Sequence, residues 1–450
     1  MEPLEDVEPL DDPGPASGAH ARRVLVVGHY ASEHAGGEGS IPLRLFGRLR
    51  ARGVEAWLLT HVSARAELTE LLPAAELERV TFAEGLPGFG PVHAYGKRLP
   101  TGLRMIAWGI TQVQRQVAMV PVVRRLVRDL AIDVVHQPIS VSPVIPSPLT
   151  RLGAPVVMGP LNGGMNMPPG FGARDSSLTA LTKSVRPVAA KVMNEVVRGR
   201  LNADAVLVAN DRTRSLLPRS VRETAIELSD IGVVLDSWPL PSQSPIAPAA
   251  AARPEVTRFL FVGRLVTWKG VDLLLDAFAS VLERIPAELE IVGEGPERAK
   301  LTDQANRLGC GASVCFRGWL GPEECAQRMR ACDVYVSPSL QESGGITVLE
   351  AMASARPVIV AAWGGHLASV DEAVGILVDV SSPAAMTQGL TDAMVRLAGD
   401  PGLRFRLGAA GRQRVESRYD WEALVDRTLQ IYGAVGASHT AGKRARVGRS

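Results

Sequence analysis

A chain of 450 residues is long for one domain and suits two, and with 46% hydrophobic and 21% charged residues it can fill two sizeable cores. A formal net charge of +2 argues against a dedicated nucleic-acid binder. No stretch reads as a transmembrane helix, and residues 1–20, acidic with Pro and Gly, resemble neither a signal peptide nor a membrane anchor.

Residues 1–21 read as a disordered acidic tail, because Glu2, Glu5, Asp6, Glu8, Asp11 and Asp12 leave little to bury. Order is expected from the apolar run Arg23–Gly28, a buried parallel strand. A glycine loop (Gly36, Gly37, Glu38, Gly39), a helix over Ile41–Arg52 and a second strand over Val54–Leu59 follow. Further strands are expected at 132–136, 154–158 and 203–208, with helical patterns between them. Strands alternating with helices imply a parallel sheet covered on both faces. These elements form a first domain, residues 22–237. The Pro/Ala-rich stretch 238–254 is a linker. Alternation then restarts, with strands at 258–263, 288–293, 313–316, 334–336 and 357–360, in a second domain of residues 255–415. A terminal helix at 416–437 is expected to cross back to the first domain, before a basic, disordered tail at 438–450. Cys310, Cys315, Cys325 and Cys332 form no C-x-x-C pair and have no histidine at zinc-ligand spacing, so they read as reduced, packed thiols. No metal site is expected.

The richest stretch is Gln341-Glu342-Ser343-Gly344-Gly345-Ile346-Thr347-Val348-Leu349-Glu350. A Gly-Gly turn opening a helix presents bare N–H groups and the positive end of the helix dipole, which suits a phosphate. Glu342 precedes that anion site and Glu350 lies on the helix behind it, so a nucleotide sugar could satisfy all these groups together. Arg264 and Lys269 follow the first strand of the same domain. They are either two solvated charges or a pair that neutralises a diphosphate leaving group.

As a set, Gly263-Arg264…Lys269-Gly270, Ile291–Pro296, Phe316–Leu320, Ser337-Pro338-Ser339 and Glu342…Glu350-Ala351-Met352-Ala353 resemble the retaining glycosyltransferases of family 4 (group 1), which have the GT-B fold. The resemblance covers most of residues 256–415. It implies an α/β protein of two doubly wound Rossmann-like domains facing a central cleft. It also implies hexosyl transfer, with retention at the anomeric carbon, from a UDP- or GDP-hexose to an acceptor hydroxyl in polysaccharide, glycolipid or glycoconjugate synthesis. By this resemblance Arg264 and Lys269 hold the donor diphosphate and Glu350 the nucleotide ribose. Backbone N–H groups at Gly344, Gly345 and Ile346 meet the distal phosphate, Glu342 contacts the transferred sugar, and the backbone at Gly318 and Leu320 reads the base. The family often has an aromatic residue in the turn after the first glutamate. Here Ser343-Gly344-Gly345 stands instead, which leaves selection of the donor sugar open.

In the first domain, Gly36 and Gly37 are either a cleft loop, as in similar GT-B enzymes, or a plain connection. His136, ending a strand, is either structural or a catalytic residue, as the resemblance implies. The loop from Gly159 to Phe171, with Asn162, Gly163 and Gly164, is either structural or an acceptor contact. Arg104, Arg115, Arg124, Arg125 and Arg128, with Arg186, Lys191, Arg198 and Arg200, are either solvated helix faces or a surface for anionic lipid headgroups. The expectation is therefore a cytoplasmic, metal-independent enzyme needing no cofactor beyond its nucleotide-sugar co-substrate. It is either free in the cytoplasm or peripheral at the inner membrane face, with a glycan, lipid-linked or small-molecule acceptor and no nucleic-acid partner. An epimerase-like enzyme on the same scaffold and a non-catalytic nucleotide-sugar-binding module are the alternatives.

Overall fold

The computed structural model describes residues 23–33, 37–86, 101–138, 147–174, 197–238 and 256–447. The tail 1–21, Gly36, most of the linker, Arg186 and Lys191 lie outside them. The first domain is a seven-stranded parallel sheet: β1 (Arg23–Gly28), β2 (Glu55–His61), β3 (Val80–Ala83), β4 (Val134–Gln137), β5 (Val156–Leu161), β6 (Ala205–Val208) and β7 (Ile226–Glu227), in the order β3-β2-β1-β4-β5-β6-β7. The second is a six-stranded parallel sheet: β8 (Thr257–Val262), β9 (Ala287–Val292), β10 (Val314–Gly318), β11 (Val334–Ser337), β12 (Val358–Ala361) and β13 (Gly375–Val378), in the order β10-β9-β8-β11-β12-β13. The strand order reverses once in each, between β1 and β4 and between β8 and β11. A crevice at the strand C-termini is expected at each reversal.

The pleat sorts the core. In β1, Val24 and Val26 face α1 (Gly37–Ala51) through Leu45, Phe46 and Leu49, while Leu25 and Val27 face α2 (Thr101–Asp129) through Met119, Val123 and Val127. The expected glycine loop is shorter than read, because Gly37 already begins α1. In the second domain, β8 likewise turns Phe259 and Phe261 to one face and Leu260 to the other. Helices α3 (Val271–Leu282) and α4 (Ile346–Ala353) carry the site elements described below.

Among the described residues, packing joins the domains in both directions. After α5 (Pro401–Arg418), α6 (Trp421–Val447) packs Trp421, Leu424, Val425, Ile431 and Tyr432 into the first domain's core. It runs well past 437, so the expected disordered tail is helical as far as Val447. In the other direction, Met167 and Phe171, from the loop after β5, are buried in the second domain's core. Among the described residues no helix is long and apolar enough to cross a membrane.

Candidate active site

The C-terminal ends of β8 and β11 are pressed together by glycine. Gly270, which precedes α3, has φ +67°, and a Cβ there would lie 2.4 Å from the Pro338 carbonyl oxygen. Leu340 N–H donates to the Trp268 carbonyl at 2.8 Å. This zipping brings the loop after β8 against the loop after β11, and Lys269 Nζ stands 2.5 Å from Glu342 Oε2. Gly345, with φ +73°, turns the chain into α4. The first N–H groups of α4 lack intrahelical acceptors, as at any helix start, and open toward the cleft. Tyr335 OH donates to Thr347 Oγ1 at 2.8 Å and ties that first turn to the sheet.

The loop after β12 backs this turn. Gly365 N–H donates to the Glu342 carbonyl at 2.9 Å, and a Cβ on Gly365 would come within 2.1 Å of the Ser343 carbonyl. His366 is fully buried, with Nε2 3.1 Å from Ser337 Oγ and Nδ1 3.2 Å from the Ala361 carbonyl. Burial pushes its pKa down to about 4, against the pull of Glu342, so it is a neutral support. Burial also opposes ionisation of Glu342, but the Lys269 charge and its hydrogen bond prevail and hold its carboxyl below the ordinary range. Glu350 differs. Its carboxyl is pushed up to about 7 by burial, with the Arg44 charge opposing.

A cleft of about 530 Å³ lies between the domains. Arg264, Lys269, Glu342 and the 343–346 turn line it from one side, and Ser40, Ile41, Arg44, Asp230, Ile231 and Gly232 from the other, with Trp421 at the junction. A larger hollow, about 910 Å³, lies at the opposite, N-terminal ends of β5 and β6, away from the strand ends that meet at the cleft. The structure thus brings Arg264, Lys269, Glu342, Gly344, Gly345 and Ile346 together, with Glu350 on α4 behind them. Gly318 and Leu320 sit at the end of the edge strand β10. Gly318, at φ +77°, lets its carbonyl accept from Gly293 N–H at 2.7 Å. Gly37 lies at the start of α1, whose Ser40, Ile41 and Arg44 reach the cleft.

Two expectations need correction. His136 does not face the cleft. Its ring is buried, with Nδ1 2.5 Å from Tyr432 OH and Nε2 2.6 Å from the Gly159 carbonyl, which fixes an Nε2–H tautomer, and burial takes its pKa down to about 4. Both nitrogens are occupied, so neither can serve as a catalytic base. The loop with Asn162, Gly163 and Gly164 is bonded within the first domain instead of offering free groups to an acceptor. Asn162 Nδ2 donates to both Asp230 oxygens at 3.0 Å, and Gly163 N–H donates to Thr213 Oγ1 at 3.1 Å. Gly164 packs on Leu216. Farther along, Trp363 Nε1 donates to the Asn166 carbonyl at 2.7 Å. The basic patches also divide: Arg124, Arg125, Arg128 and Arg198 are exposed, whereas Arg200 is buried.

Sequence reasoning missed Arg44, Arg212, Asp230 and His366. Arg212 is the bridge. From the first domain, its Nε donates to the Gly163 carbonyl at 3.0 Å and its Nη2 reaches the Ser343 carbonyl at 3.4 Å, in the anion turn itself. These residues lie outside any local motif, and only the fold gathers them.

Residues 245–414 match the family model for glycosyl transferases group 1. The chain is 29% identical to a phosphatidyl-myo-inositol mannosyltransferase of Mycobacterium leprae over 92% of this chain and 98% of that one. It is 34% identical to a D-inositol 3-phosphate glycosyltransferase of Salinispora arenicola, over 52% of this chain and 55% of that one. The chain spans about half the length of several curated relatives that it matches. Among solved structures, Anabaena Alr3699/HepE in complex with UDP and glucose shares the fold, with a TM-score of 0.57, 17% identity, and coverage of 92% of this chain and 100% of that one. The chain belongs to the group 1 glycosyltransferases (family 4), and its two facing Rossmann-like domains are the GT-B fold.

Proposed function

We propose that the protein transfers a hexosyl unit from a nucleoside diphosphate sugar to an acceptor hydroxyl, with retention at the anomeric carbon. The observation that carries this reading is the cleft constellation: Lys269 paired with Glu342, Arg264 beside it, the Gly345 turn opening α4, and Glu350 behind. The Anabaena protein of the same fold was solved with UDP and glucose, which supports a nucleotide sugar as donor.

Charge dictates the chemistry. As the glycosidic bond to the donor breaks, negative charge grows on the diphosphate and positive charge on the sugar. Arg264, Lys269 and the start of α4 stabilise the first. Glu342, held ionised by Lys269, stands beside the second. In the free protein Lys269 is engaged by Glu342, so the arriving diphosphate shares a cation already aimed at the site. No side chain in this set serves as a covalent nucleophile. Substitution occurs on one face of the sugar, and the departing phosphate oxygen takes the acceptor's proton. With two cations on the diphosphate, turnover continues in EDTA. The relatives named for inositol-containing acceptors support a polyol acceptor.

A thermal-shift panel with UDP, GDP and ADP, followed by product analysis with the matching hexose conjugates, tests the reading. A ligand at 100 times its Kd adds about 2.7 kcal/mol of stability. Arg264→Ala and Lys269→Ala should each lower kcat by an amount worth about 2–4 kcal/mol. Wild-type rates in both variants, or no shift with any nucleotide, would remove the donor site.

A further inference from the structure

The turn that opens α4 is held from both domains. Two N–H groups in it, those of Gly344 and Gly345, donate to no acceptor among the described residues. Such groups are aimed by whatever holds the carbonyls of the same peptide planes. The Glu342–Ser343 peptide is fixed from within the second domain, because the Glu342 carbonyl accepts from Gly365 N–H at 2.9 Å. The Ser343–Gly344 peptide packs on Gly365, where a Cβ would lie 2.1 Å from the carbonyl oxygen and 2.9 Å from the Gly344 nitrogen. Its carbonyl has one hydrogen-bond partner among the described residues, and that partner belongs to the first domain: Arg212 Nη2 at 3.4 Å, 131 residues away in the chain. In a trans peptide the carbonyl and the N–H point in opposite directions, so drawing the Ser343 carbonyl toward Arg212 sends the Gly344 N–H the other way.

Arg212 is itself firmly placed. Asn210 caps the short helix Asp211–Ser215, its side chain accepting from Thr213 N–H at 2.9 Å. Arg212 Nε donates to the Gly163 carbonyl at 3.0 Å, and Nη2 also reaches Asn162 Oδ1 at 3.3 Å. Asn162 is oriented in turn by its bonds to Asp230. All the acceptors of Arg212 are thus neutral. It makes no ion pair among the described residues, its Nη1 is buried without a hydrogen-bond partner, and burial lowers its pKa against the Asp230 charge. A partly buried guanidinium left with neutral partners and a spare donor is unfavourable by itself and is relieved when an anion shares its site.

We propose that Arg212 is a positioning residue for the donor's distal phosphate: by holding the Ser343 carbonyl it turns the Gly344 N–H toward that phosphate, and its charge backs the same peptide. This deepens the glycosyltransferase reading and rests on it. It also gives the contact between domains a chemical purpose, because the peptide that meets the phosphate is aimed from the opposite domain.

Calorimetric titration of the full chain with UDP against UMP, and with GDP against GMP, isolates the distal phosphate. Wild type should bind the diphosphate of one base more tightly than its monophosphate. Arg212→Gln should reduce that preference about tenfold, the scale of one hydrogen bond to a charged group, and leave monophosphate affinity within about twofold. Arg212→Lys keeps the charge but not the fork that spans Gly163 and Ser343, so it should recover part of the preference. An arginine that merely holds the fold together would weaken both nucleotides alike. Equal weakening of the two, or an unchanged preference, overturns the proposal. If Arg212→Gln does not fold, Arg212→Lys is measured alone and should show a reduced preference, and a full one overturns the proposal equally. Failure of wild type to bind any of these nucleotides would strike the donor reading and this proposal with it. A wild-type preference that survives the substitution strikes only the role of Arg212, so the two failures are distinguishable.

Discussion

Glu350→Gln is the substitution whose effect can be worked furthest from the structure. The carboxyl lies on α4 behind the anion turn, where burial, opposed by the Arg44 charge, raises its pKa from 4.5 to about 7. The folded protein therefore holds this proton more tightly than the unfolded chain does. Below the unfolded value both states are protonated and the group costs nothing. As pH rises from 4.5 toward 7 the unfolded chain ionises first, and stability falls until the folded carboxyl also ionises. At 1.36 kcal/mol per pH unit, the gap between 4.5 and 7 costs about 3 kcal/mol above neutrality and less than about 1 kcal/mol at pH 5. The residue is partly exposed, so these are upper values. Glutamine does not ionise. Urea denaturation of wild type and variant at pH 5 and pH 8 should show the difference between them move by about 2 kcal/mol in the variant's favour as pH rises. Nucleotide binding should move the other way. If the ribose hydroxyls donate to the carboxylate, wild-type affinity for UDP or GDP increases between pH 5 and 8, and the variant is weak at both. Parallel stability profiles for the two proteins would refute the argument, because they would mean that this carboxyl titrates alike in folded and unfolded chains.

Tyr432→Phe removes the donor to His136 Nδ1 and leaves a buried ring nitrogen unpaired, which should cost about 1–3 kcal/mol in chemical denaturation. The kcat of the folded enzyme should be unchanged, and a fall in kcat at full stability would return His136 to the chemistry. Phe171→Ala empties a site, 1% exposed, that a first-domain loop fills in the second domain's core. It should cost about 3–5 kcal/mol and open residues 159–174 to limited proteolysis. Unchanged stability would mean that the loop does not hold the domains together.

The two halves of the site were not equally legible, for a physical reason. The donor half is built from two loops whose chemistry is local. Gly270 and Gly345 both need left-handed backbone, and the residues they position, Lys269 and Glu342, are their near neighbours in sequence. A linear reading can find such a site. The strands were legible where they are buried runs, such as Val24–Val27. They were missed where they are short, as at Val80–Ala83, Ile226–Glu227 and Gly375–Val378. The first-domain half comes from Arg44, Arg212, Asp230 and Trp421, far apart in sequence and joined only by the fold. His136 shows how fine the margin is. Strand ends do line crevices, but successive side chains alternate between faces, so His136 turns toward α6 and meets Tyr432 while Gln137 turns toward α2 and donates to Gln116. The strand end alone therefore did not say which side of the sheet the ring would take. The Gly159–Phe171 loop misled for a related reason. Its glycines suggested a binding loop, yet Gly170 is small because the second domain's Ser381 carbonyl lies 2.0 Å from where its Cβ would be. That requirement comes from a partner surface more than 200 residues away in the chain, and no local pattern encodes it.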